Sequence, residues 1–112
     1  MRRIQRNTWI SLDVMQFHGR PTISLGSETF DGHGDDGTCV NLVAKGQYYG
    51  RTKWMRVKVC NSRRENCKVD KGYFDYYAGP VYYSAHCVWA RVKMNDGYGN
   101  TIMDLWVPFG CN

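Results

Sequence analysis

Apolar and polar residues alternate with a period of two along most of this 112-residue chain. At residues 8–15, Ile10, Leu12 and Val14 fall on one side and Trp9, Ser11, Asp13 and Met15 on the other, as in a half-buried strand. A helix competes there, because Ile10, Val14 and Phe17 also stand at i, i+4 and i+7 with Thr8 as a cap. The β-branched inward positions and the early Gly19-Arg20-Pro21 turn favour the strand. Residues 22–25 read as a second short strand and residues 26–37 as a polar, glycine-rich connection. Residues 39–45 set Val40, Leu42 and Ala44 against Asn41, Val43 and Lys45. Residues 52–60 alternate most cleanly, with Met55, Val57 and Val59 inward and Trp54, Arg56 and Lys58 outward. Val88, Ala90, Val92 and Met94 repeat the pattern, with Trp89, Arg91 and Lys93 outward. Asn95-Asp96-Gly97 then turns the chain into a last strand at residues 101–107.

Between these strands, residues 70–92 concentrate the aromatic mass, with Tyr73, Phe74, Tyr76, Tyr77, Tyr82 and Tyr83 ahead of Trp89. Ala78-Gly79-Pro80 is expected to break this run into two extended arms at a corner, since proline lacks a ladder N–H. The tyrosines each carry an apolar ring with a hydroxyl that reaches water, which suits a contact surface. The pattern as a whole predicts one domain over residues 1–112, an all-β sandwich or small barrel of about seven strands, with residues 1–7 as a mobile basic arm.

A core of this size gains from staples. Cys39, Cys60, Cys67, Cys87 and Cys111 include no C-x-x-C pair and no histidine pair at zinc spacing, which favours disulfides over a metal site. Cys60 and Cys67 bracket a polar loop that their own disulfide could close. Disulfides place the chain in an oxidising compartment. Residues 1–6 hold no apolar h-region, so either a signal peptide has been replaced by Met1 or export does not use one. No apolar run approaches a transmembrane helix, so membrane insertion is not expected.

The net charge of +5 is uneven. Residues 45–71 hold nine Lys or Arg against Glu65 and Asp70, a local balance of +7, whereas residues 28–36 hold Glu28, Asp31, Asp35 and Asp36 with no Lys or Arg. The basic stretch suits an acidic partner. The acidic one alternates ligand types around His33 as a calcium loop does, but Asp36 stands where that loop needs glycine and Leu42 where it needs glutamate. It reads as a loop, with no metal. His18 reads as a turn residue, and His86 beside Cys87 would point to the opposite face of a strand, so no Cys/His pair is expected.

Gly37-Thr38-Cys39-Val40 upstream, Asp70-x-Gly72-x-Phe74-x-Tyr76-Tyr77-Ala78-Gly79-Pro80-Val81, and then Cys87-Val88 together resemble small secreted actinobacterial proteins of the spore-associated protein A type. The family's Trp-Gly-Gly ending after the second cysteine is replaced here by Val88-Trp89-Ala90-Arg91-Val92. The resemblance implies an exported, disulfide-containing β protein and carries no catalytic residues. It also implies a Cys39–Cys87 bridge, with Cys111 left free or available to a partner chain.

The reading that follows is a secreted, non-catalytic binding module, a protein–protein adaptor in a larger extracellular or cell-surface assembly. Its contact residues are Trp54, Arg56, Lys58, Tyr76, Tyr77, Tyr82 and Tyr83, since Tyr, Trp and Arg dominate contact hot spots. No cofactor is expected. A polysaccharide suits the same side chains, and nucleic acid suits an exported chain less well. The alternative is a small basic toxin or nuclease built on a His base, a carboxylate such as Glu28 or Glu65, and Arg or Lys for phosphate.

Overall fold

Ile10, Leu12 and Val14 on β2 (Ile10–Phe17) stand across from Ala44, Leu42 and Val40 on the antiparallel β5 (Gly37–Ala44), so two alternating patterns merge into one apolar face. The computed structural model describes the backbone of residues 2–6, 9–17, 22–25, 28–31 and 37–111, and the side chains of residues 9–16 and 37–111. The other side of β5 is occupied by β8 (Tyr77–Tyr83), and β1 (Arg2–Arg6) borders β2, giving the order β1-β2-β5-β8. A second antiparallel sheet runs β10-β9-β6-β7, from β6 (Lys53–Cys60), β7 (Lys68–Phe74), β9 (Val88–Asn95) and β10 (Thr101–Phe109). Seven strands, β2 and β5 to β10, thus build an all-β sandwich, with β1 as an added edge. A separate hairpin pairs β3 (Thr22–Leu25) with β4 (Glu28–Asp31).

The inner faces supply the core: Ile10, Leu12, Val14, Val40, Leu42 and Ala44 from one sheet, Met55, Val57, Val59, Val88, Ala90, Val92 and Met94 from the other. Burying each Val, Leu or Ile contributes about 1.5–3 kcal/mol, and alternation is what delivers them all to one side.

Several expectations are corrected. Residues 2–6, expected as an arm, pair along β2. Strand β5 is buried along both faces apart from Val43, with Cys39 and Asn41 covered along with the core positions Val40, Leu42 and Ala44. The corner of the aromatic run falls at Asp75-Tyr76, and Ala78-Gly79-Pro80 lies within β8, where the register against β5 shifts between Val40 and Leu42. Gly79 has φ +105°, and a Cβ there would approach the Val40 carbonyl to 2.8 Å, so only glycine fits this irregularity. Strand β8 ends its sheet, which is where a proline is tolerated.

Cys60 and Cys67 are joined, with Cα atoms 4.0 Å apart. The second bridge is Cys87–Cys111, in place of the Cys39–Cys87 pair that the resemblance implied. The register explains it: Phe109 of β10 stands opposite Val88 of β9, which brings the flanking cysteines together. Cys39 lies in the middle of the first sheet, between Met15 and Tyr82, and is a fully buried free thiol.

Lys53 opens β6 at an inward position and is 1% exposed. Its ammonium donates to the carbonyls of Tyr48 (2.7 Å), Arg51 (2.8 Å) and Asp75 (2.7 Å), so its three protons satisfy three loop carbonyls. Burial pulls its pKa below the ordinary lysine value, while the Asp75 charge pushes it back up. His18 and His33 lie outside the described residues. No helix among the described residues is long and apolar enough to cross a membrane.

Candidate functional site

The outward positions of the second sheet come together through cross-strand register. Arg56 on β6 stands opposite Lys71 on β7 and Lys93 on β9, and Lys93 stands opposite Asp104 on β10. One step along the strands, Lys58 stands opposite Arg91, and Arg91 opposite Trp106. Trp54 pairs with Tyr73, ring centroids 5.4 Å apart, edge to face. Neighbouring strands lie about 4.8 Å apart, so Lys71, Arg56 and Lys93 form a close row of like charges. Like charges directly opposite are destabilising.

The carboxylate of Asp104 on this face is already engaged. Arg91 holds it through two bonds of 3.0 and 3.1 Å, which pull the Asp104 carboxyl below its ordinary value. Arg56 keeps a buried Nε with no hydrogen-bond partner among the described residues. Asp104 also acts on Arg56 and Lys93, but one carboxylate against Arg56, Lys58, Lys71, Arg91 and Lys93 leaves the face with net positive charge.

The disulfide-closed loop adds to it. Asn61 caps the loop: its side chain accepts from the backbone N–H groups of Arg63 and Glu65, each at 2.9 Å, while its carbonyl accepts from Arg64. Arg64 and Asn66 have φ of 62° and 50°, a left-handed backbone that ordinary side chains adopt at a cost. The Tyr83 hydroxyl donates to the Asn66 carbonyl at 2.7 Å. This arrangement puts the Arg64 guanidinium 4.0 Å from the Trp89 ring centroid and 5.2 Å from that of Trp106. Arg91 and Lys58 also approach Trp106, at 5.7 and 5.9 Å. The indoles are floors beneath cations.

The expected contact residues are divided among several places. Trp54, Arg56 and Lys58 share the basic face. Tyr76 and Tyr77 instead line a shallow cleft of about 390 Å³ with Tyr73, Phe74, Asp75 and Gly79. Tyr82 stands opposite Cys39 on β8, with the Lys68 ammonium 6.0 Å from its ring. Tyr83 packs against the core edge and is tied to the loop through its hydroxyl. Lys71, Arg64 and Trp106 belong to the face but escaped the sequence reading, because only strand pairing brings them beside Arg56 and Lys58. The outward alternation of Trp89, Arg91 and Lys93 was the signal for the β9 part.

Cys87 is disulfide-bonded, so a Cys87/His86 nucleophilic pair does not exist here. Among the described residues no group of three or more His, Cys, Asp or Glu side chains could hold a metal ion. Fold and face together define a disulfide-stapled β-sandwich with one strongly basic, tryptophan-floored sheet surface. No protein-family model, curated protein or solved structure matches the chain.

Proposed function

We propose that this chain is an exported, non-catalytic binding module, an adaptor that seats an acidic protein surface on the outer face of its second sheet. The observation that carries this reading is the row Lys71, Arg56, Lys93, three cations side by side across adjacent strands. Each like-charge neighbour pair costs about 0.2–1 kcal/mol in the isolated chain, and a bound polyanion offsets that cost. Carboxylates match guanidinium forks in geometry as well as charge. Base stacking is disfavoured, since cations already lie over Trp89 and Trp106 where a nucleobase would need a bare ring. The two disulfides fit an oxidising compartment, and the resemblance to secreted proteins points the same way.

The test is affinity capture from the secreted proteins of the source cells on the immobilised chain, in parallel with a folded Arg56→Glu/Lys93→Glu variant. The expected result is a stoichiometric acidic protein that elutes with salt and is absent from the variant. A partner retained equally by both would overturn the assignment of this face.

A further inference from the structure

We infer that the cleft at the β7–β8 turn is a second binding site, built for the ring of a neutral saccharide. This inference does not depend on the basic face, which the cleft adjoins where Tyr73 meets Trp54.

Four tyrosines cluster at this end of the sandwich and are left exposed: Tyr73 at 73%, Tyr49 at 62%, Tyr76 at 48% and Tyr77 at 37%. Tyr49 and Tyr76 are in contact, ring centroids 4.9 Å apart. Grouped exposed rings of this kind mark contact sites. Their backbone is held firmly. The Asp75 carbonyl accepts from Gly50 N–H (2.9 Å) and from the buried Lys53 ammonium (2.7 Å), and the Tyr76 carbonyl accepts from Ala44 N–H (2.8 Å). Exposed rings on a fixed frame lose little further freedom when a ligand arrives.

The chemistry of the lining selects the ligand. No Lys or Arg lines the cleft, so nothing there would neutralise an anion. Asp75 offers an exposed carboxylate, one oxygen of which accepts from the Thr52 hydroxyl. An exposed carboxylate flanked by phenols and apolar ring faces can exchange its water for hydroxyl donors, which suits a molecule with hydroxyls on its edge and C–H groups on its face. A sugar ring has both. A small organic cation would also be attracted to Asp75, but cation–π recognition of that kind uses rings that enclose the ligand, and this cleft is shallow and open.

Isothermal titration of the intact chain with cellohexaose, chitohexaose and maltohexaose tests the inference, with choline chloride as the cationic probe and polyaspartate as the anionic one. The expected result is saturable binding of at least one hexaose that persists in 0.5 M NaCl, on the order of a Debye length below 5 Å. Tyr73→Ala and Tyr76→Ala should each weaken it by about tenfold, a stacking contact's share, and Asp75→Asn should weaken it too. Arg56→Glu should leave it unchanged while weakening polyaspartate binding, which separates this site from the basic face. Binding of choline but of no hexaose, absence of binding by all three hexaoses, or hexaose binding indifferent to both tyrosine changes would overturn the inference.

Discussion

The guanidinium of Arg64 lies 4.0 Å from the centre of the Trp89 ring, and Arg64 reaches it from a left-handed backbone position inside the Cys60–Cys67 loop. The loop therefore trades backbone strain for a cation held on the binding face. Arg64→Gly removes the stacked cation but relieves the strain, whereas Arg64→Ala removes the cation and keeps the strain. Urea denaturation should find the alanine variant less stable than the glycine variant by about 1 kcal/mol. In both, tryptophan fluorescence should change as Trp89 is uncovered.

Arg56 occupies the centre of the like-charge row, so Arg56→Glu sets a carboxylate between Lys71 and Lys93. The folded chain should gain about 0.5–1 kcal/mol, read as a higher denaturation midpoint at low salt. Association with an acidic probe such as polyaspartate should fall in the same variant. A loss of stability would show that the row is already neutralised within the chain.

The Cys87–Cys111 bridge spans 24 residues of sequence, and removing it by the double alanine change should cost about 3.5 kcal/mol on the chain-entropy estimate. Cys39→Ala removes one buried sulfur and should cost about 1–2 kcal/mol. Burial pushes the Cys39 thiol up from 9.0 to about 12, so the native chain should resist thiol reagents at pH 8 and react fully once unfolded. Because the folded value is the higher one, the stability Cys39 contributes is complete below pH 9 and is lost as pH rises toward about 12. The slope of stability against pH should flatten across that window in Cys39→Ala.

Lys53→Met keeps the length of the buried side chain but leaves the carbonyls of Tyr48, Arg51 and Asp75 without their donor. The expected loss is about 3 kcal/mol or more, since unpaired buried acceptors bear their full desolvation cost. The tyrosine cleft should loosen with it, visible as altered tyrosine signals for Tyr49 and Tyr76 in NMR spectra. A variant as stable as the parent would show that the loops are held by other contacts.

Which side chains face the core of β2, β6 and β9 was legible from alternation alone, because a strand's period of two is a local property of the backbone. The Cys60–Cys67 bridge was legible for the same reason, as both cysteines flank one short loop. Lys53 was not, since its inward position reads as a fault in the pattern until three carbonyls from two loops are seen around its ammonium. Nor was the place of Ala78-Gly79-Pro80: a corner and a bulge in an edge strand use the same residues, and only the pairing of β8 with β5 distinguishes them. The Cys87–Cys111 bridge and the row Lys71, Arg56, Lys93 depend on register between strands far apart in sequence. Period two says which face a residue takes. Which residue lies beside it across the sheet is decided by hydrogen bonding and core packing between strands, and only the tertiary structure contains that.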